Sequence, residues 1–310
     1  MKRWMTALVI FFSAAVSAAP MNKFVVFGDS LSDNGNLYEY MKHQLPVSPP
    51  YFKGRFSNGP VWIEILAKSY YPTTSKEHLF DYAFGGAGVL EGDDVDDGLF
   101  TLDHEIESYL LANQDQADPN AMFVIWIGSN NYLAIPDDVE QSLHDVDLGI
   151  QHALEHLLEK GAKHFLVVNV PNLGQTPAAR DFDAVEELTY LSKQHNATLE
   201  KNIHSFQTRY PDVQWLYYDV NVIFDDMVID PERYGFTNVT DTCYEEAVDK
   251  VGSQRSLLKM VSRVNAKQYR SGDACKGYLF FDPVHPSGPA HKLMAEQTRV
   301  LLDKNDVAFE

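Results

Sequence analysis

The chain has 310 residues, of which 45% are hydrophobic and 22% charged, with a formal net charge of −19. This length and composition suit a folded chain with a sizeable core and exclude wholesale disorder. The acidic balance repels phosphate backbones and anionic lipid, so nucleic acid is not an expected partner and membrane contact is expected only peripherally, through apolar groups or zwitterionic head groups.

The chain opens with Lys2 and Arg3, an apolar run over 4–16 and the small residues Ser17, Ala18 and Ala19. This is the pattern of a secretory signal peptide over 1–19, its apolar run being too short to cross about 30 Å of hydrocarbon. Export through an inner membrane, to the periplasm and then outside, is the expectation. Residues 20–310 would be the mature part. A first buried strand is predicted over 24–27, and a helix over 61–71 after the turn Asn58-Gly59-Pro60. A strand follows over 121–127, then a helix over 148–160 stopped by Gly161 and a strand over 164–170 ended by Pro171. The rest reads as a helix over 187–209, a strand over 213–220, a short strand over 278–282 and a helix over 289–303. Strands alternating with helices predict a parallel sheet covered on both faces, and their continuous apolar runs agree. Sites in such folds form beyond the carboxyl ends of the strands. Residues 91–98 form an acidic loop, and 230–276 is an irregular stretch containing both cysteines, Cys243 and Cys275. No repeat or low-complexity linker divides the chain, so one domain is expected.

Four blocks at predicted strand ends carry chemistry. Gly28-Asp29-Ser30-Leu31-Ser32-Asp33 follows the first strand. A serine there exposes its hydroxyl at the sheet edge and can aim its N–H at an oxyanion, but it needs a base to become a nucleophile. The plain alternative is a helix-capping serine. Asp282-Pro283-Val284-His285-Pro286 supplies a carboxylate and an imidazole three residues apart on one turn. That spacing lets the imidazole face a serine while the carboxylate fixes its tautomer. Gly128-Ser129-Asn130-Asn131 offers an asparagine N–H as an oxyanion donor, although Asn pairs also form ordinary turns. Ala83-Phe84-Gly85-Gly86-Ala87-Gly88 lets backbone approach a ligand closely, but lacks the lysine and spacing of a phosphate loop.

Other patterns read as structure. The acidic loop Asp93-Asp94-Val95-Asp96-Asp97-Gly98 imitates a calcium loop, yet has Val95 at the third position and His104 at the twelfth. His152 and His156 stand one helical turn apart without a glutamate placed for zinc hydrolysis. No metal or other cofactor is expected. Two cysteines in an oxidising compartment are expected to form one disulfide, worth about 3–4 kcal/mol by loop entropy.

Taken in chain order, the four blocks resemble the GDSL (SGNH) hydrolase family. Val168 to Gly174 and Tyr234-Gly235-Phe236 look like further landmarks, so the resemblance covers nearly the whole mature chain. It implies a single-domain, flavodoxin-like three-layer α/β fold. It also implies Ser30 as nucleophile, His285 as general base and Asp282 as its orienter. The oxyanion hole would be the Ser30 N–H, the Gly86 N–H and the Asn130 side chain, with Gly85 a rival for Gly86. Two positions depart from the family pattern, Asp81 where Asn is usual and Asn131 where Asp is usual; both look like supporting positions that leave the reaction type unchanged.

The sequence looks most like the secreted bacterial branch of lysophospholipases A, haemolysin-type phospholipases and glycerophospholipid–cholesterol acyltransferases. A lysophospholipid is therefore the favoured substrate, with diacyl phospholipid also admitted and an alcohol admitted as acyl acceptor. The loop 243–275 could form a lid, which would make a processing protease an activating partner. Two rival readings are a carbohydrate deacetylase or general carboxylesterase on the same fold, and a non-catalytic secreted binding protein.

Overall fold

The structure, a computed structural model, describes residues 20–90, 100–244 and 275–310. The predicted signal peptide, the acidic loop over 91–98 and the interior of the cysteine-bracketed loop lie outside the described residues. Five strands form a parallel sheet in the order β2-β1-β3-β4-β5. They are β1 (Lys23–Gly28), β2 (Leu79–Asp81), β3 (Ala121–Trp126), β4 (His164–Val168) and β5 (Gln214–Tyr218). The helices are α1 (Asn36–Tyr40), α2 (Trp62–Tyr70), α3 (Leu102–Ala112), α4 (Ser129–Leu133), α5 (Val139–Glu159), α6 (Pro177–Asp181), α7 (Val185–Arg209), α8 (Val220–Ile229) and α9 (Gly288–Lys304).

The two-residue period of a strand divides the core in two. Val25, Phe27, Phe123, Ile125, Phe165 and Val167 face α3, α5 and α7 on one side. Phe24, Val26, Met122, Val124, Leu166 and Val168 face α2, α8 and α9 on the other. The fold is thus the expected α/β architecture, a central parallel sheet with helices on both faces. Chain direction reverses its sheet-building order between β1 and β3, and ligands settle at such switch points.

Several elements differ from the sequence reading. β2 is a three-residue edge strand with a half-exposed pattern, too short to show a period. The helix predicted over 148–160 begins nine residues earlier, at Val139, where Asp138 caps it by accepting the Gln141 N–H at 3.0 Å. The strand predicted over 278–282 is real as β7 (Tyr278–Phe280), but it does not join the main sheet. It pairs in parallel with β6 (Asn238–Thr242) in a separate two-stranded sheet. The main sheet ends at β5, and the segment carrying Asp282 and His285 packs across its rim.

Cys243 and Cys275 form the expected disulfide, with Cα atoms 5.0 Å apart. They sit in a third apolar cluster with Leu37, Tyr51, Phe56, Tyr244 and Phe281.

Candidate active site

β1 delivers Asp29 and Ser30 to the sheet rim, and the next turn is held by its own carboxylates. Asp29 Oδ1 accepts the Leu31 N–H at 3.0 Å. Asp33 accepts the N–H groups of Gly35, Asn36 and Leu37, and also that of Gly85 at 2.7 Å. Asn36 Nδ2 in turn donates to the Asp81 and Ala83 carbonyls. The serine turn and the glycine block are thereby fastened to each other.

Ser30, His285 and Asp282, distant in sequence, meet there. The Ser30 hydroxyl donates to His285 Nε2 at 2.8 Å, and His285 Nδ1–H donates to Asp282 Oδ2 at 2.6 Å. Asp282 Oδ1 accepts the N–H groups of Val284 at 2.9 Å and His285 at 2.7 Å, which folds the turn back on itself. Tyr51 O–H adds a fourth donor, to Oδ2 at 2.7 Å. Asp282 is fully buried. Burial alone would raise its carboxyl, but its interaction with His285 and the hydrogen bonds from His285, Tyr51 and Val284 hold it below the usual carboxylate range. Phe56 packs against the His285 ring, with centroids 5.1 Å apart.

Two of the predicted oxyanion groups, Ser30 and Asn130, meet at one pocket. Asn130, in α4, lines a pocket with Ser30 and His285. Its Nδ2 donates one hydrogen to the Ala87 carbonyl at 2.7 Å, leaving the second free to donate. Gly85 N–H is already committed to Asp33, whereas the N–H groups of Ser30 and Gly86 meet no acceptor among the described residues. Gly86 has φ +85°, a conformation that a side chain would strain. The pocket occupies about 520 Å³ including its open mouth, and Leu31, Leu133, Leu173, Phe224, Phe280 and Val284 make it largely apolar.

Buried acids surround the serine turn. Burial pushes the Asp29 carboxyl up to about 7 and that of Asp33 up to about 6, against the lowering effect of their N–H donors. Glu105, from α3, accepts the N–H groups of Gly28 at 2.7 Å and Phe84 at 3.1 Å, and burial raises its carboxyl well above the ordinary range. The two departures from the family pattern have local duties. Asp81 accepts the Ala83 N–H, and burial holds its carboxyl well above the ordinary range. Asn131 accepts the Val89 N–H at 2.8 Å.

Tyr51, Phe56 and Glu105 escaped the sequence reading. Only Glu105 left a signal: it shares the buried stripe of α3 with Leu102, Ile106 and Tyr109, where a charge is out of place. His152 and His156 lie on α5 and approach Asp103 and Glu107 of α3 at 3.8 and 3.7 Å, as ordinary surface partners. Among the described residues no group of His, Cys, Asp or Glu could hold a metal ion, and no helix is long and apolar enough to cross a membrane.

A serine hydroxyl joined to a buried histidine–aspartate couple, at the switch point of a parallel sheet, is an arrangement suited to acyl transfer. The chain belongs to the GDSL-like Lipase/Acylhydrolase family, whose profile matches residues 24–298. It is 30% identical to the phosphatidylcholine-sterol acyltransferase of Aeromonas hydrophila, over 98% of each chain. It is 28% identical to the secreted effector protein SseJ of Salmonella typhimurium, over 90% of this chain and 63% of that protein. It is 27% identical to the thermolabile hemolysin of Vibrio parahaemolyticus, over 95% of this chain and 66% of that one.

Proposed function

We propose that this chain is an exported lipolytic serine esterase that cleaves the acyl ester of lysophospholipids, with Ser30 as nucleophile, His285 as general base and Asp282 as its orienter. The observation that carries the reading is the unbroken relay from Asp282 through His285 to Ser30, at 2.6 and 2.8 Å, opening on an apolar pocket.

The chemistry runs as follows. Ser30 Oγ attacks the ester carbonyl carbon while its proton passes to His285 Nε2. The oxyanion that forms is met by the N–H groups of Ser30 and Gly86 and by Asn130 Nδ2; Gly86 takes this role because the Gly85 amide is engaged by Asp33. The C–O bond to the alcohol breaks, and the leaving oxygen takes the proton from the imidazolium. Water then attacks the acyl carbon and gives a proton to His285; the acyl–Oγ bond breaks, Ser30 Oγ takes that proton back from the imidazolium, and the acid leaves. An alcohol can replace water in this second half, which yields a new ester. Similarity to an acyltransferase over 98% of both chains supports this second outcome.

The apolar lining suits a fatty acyl chain, and the charge of −19 suits a zwitterionic head group over an anionic one. Export rests on the predicted signal peptide over 1–19 and on similarity to a protein described as a secreted effector.

The test compares the parent protein and Ser30→Ala on lysophosphatidylcholine, diacyl phosphatidylcholine and an acetylated sugar, with and without added alcohol, measuring free acid and new ester. Acid is expected from the lipids, most from the lysolipid, and none from Ser30→Ala. Release from the acetylated sugar alone overturns the lipid reading, and equal release by Ser30→Ala overturns the mechanism.

A further inference from the structure

His195 lies in the middle of α7, only 5% exposed, and takes no part in the relay. Burial drives its pKa down to about 4, so the ring is neutral. Its Nδ1 pairs with the Tyr132 hydroxyl at 3.0 Å, while its Nε2 is buried with no partner among the described residues. A buried nitrogen without a partner is costly, so a leucine would serve plain core packing better.

The ring covers Gly128. A Cβ added there would stand 2.9 Å from His195 Cε1, and Gly128 has φ +121°. Gly128 is the turn between β3 and α4, two residues before Asn130, and Tyr132 is two residues after it. Histidine therefore grips the asparagine turn at both ends, by packing at Gly128 and by a hydrogen bond at Tyr132. From the opposite side, Asn130 and Asn131 bond to Ala87 and Val89.

We infer that His195 is a positioning residue that sets the turn presenting Asn130 to the oxyanion. The inference rests on the esterase reading above. The glycine is needed because any side chain would displace the ring. The ring is needed because α4 is only five residues long and has no side-chain cap of its own.

The test is a double-mutant cycle on kcat and KM with a soluble ester. Asn130→Ala should lower kcat by about 10²–10³. His195→Ala should lower kcat roughly 10–100-fold with KM changed less than about threefold, since the defect lies in transition-state stabilisation. Adding it to Asn130→Ala should lower kcat little further, because there is no longer a donor to misplace. Tyr132→Phe removes the hydrogen bond alone and keeps the fold if His195→Ala does not; it should show a smaller kcat loss that likewise vanishes beside Asn130→Ala. His195→Asn, which keeps an acceptor for Tyr132, should recover part of the rate. Losses that persist in full beside Asn130→Ala, or an unchanged kcat in both His195→Ala and Tyr132→Phe, overturn the inference. An inactive parent overturns the esterase reading instead.

Discussion

Replacing Tyr51 with phenylalanine separates what steadies Asp282 from what speeds the chemistry. Among the described residues the Asp282 carboxylate has four donors, and the Tyr51 hydroxyl at 2.7 Å is the one that comes from outside its own turn. Tyr51 is 1% exposed, so water does not replace the lost donor. A hydrogen bond to a charged group contributes about 1.5–3 kcal/mol, and Tyr51→Phe should lower unfolding free energy near pH 8 by about that amount. Asp282 stays ionised in both the ground state and the transition state, so most of the loss is common to the two. The expected fall in kcat is therefore under about tenfold. The sign with pH follows from linkage. The Asp282 carboxyl is held low in the fold, so its stabilisation is present above its ordinary range and lost as pH falls through the folded value. The gap between Tyr51→Phe and the parent should therefore narrow under acid. Denaturant unfolding at several pH values, paired with initial rates on an ester, measures both. A stability unchanged at pH 8, or a kcat loss near the 10⁴ seen when a triad carboxylate is neutralised, refutes the reasoning.

Gly85→Ala should abolish most activity, since the new Cβ would stand 2.3 Å from Phe56 Cε2 and Phe56 packs on the His285 ring; rates and unfolding curves check it, with about 1–3 kcal/mol of destabilisation expected. Reduction of the Cys243–Cys275 bridge, or its replacement by alanines, should lower stability by about 3–4 kcal/mol, visible as a Tm shift under reductant that the double alanine variant no longer shows. Asp29 is held protonated, with a carboxyl pushed up to about 7, so its contribution is full below about 3.8, where the unfolded group titrates, and is lost as pH rises to about 7. The Tm advantage of the parent over Asp29→Asn should accordingly shrink from pH 4 to 7 and level off above; calorimetry showing a constant difference would contradict it.

The sequence revealed the parts of the site that are local. A strand running into a serine turn, an asparagine turn after another strand and a three-residue Asp–His spacing are short-range patterns, and the structure brings those segments together. Parallel strands also show themselves as apolar runs because both faces are covered. The remaining parts depend on distant partners. Nothing near Tyr51 announces a carboxylate 231 residues away, and Phe56 is ordinary until His285 is beside it. The apolar run at 278–282 was legible as a strand but not as one outside the main sheet, because a run of that kind specifies burial and not which neighbour it pairs with.

The serine rides on the main sheet, whereas the histidine and aspartate ride together on the turn after β7. That turn is hung from neighbours of its own: Cys243 N–H and Tyr244 N–H on the Phe280 and Phe281 carbonyls, Ala178 N–H on the Pro283 carbonyl, and Ser57 Oγ on the Pro286 carbonyl. Imidazole and carboxylate thus sit together on one turn, which meets the nucleophile through the Ser30–His285 bond. Because Asp282 and His285 share one turn, closed by the His285 N–H on Asp282 Oδ1, their mutual geometry is set locally and not by the strand that carries Ser30.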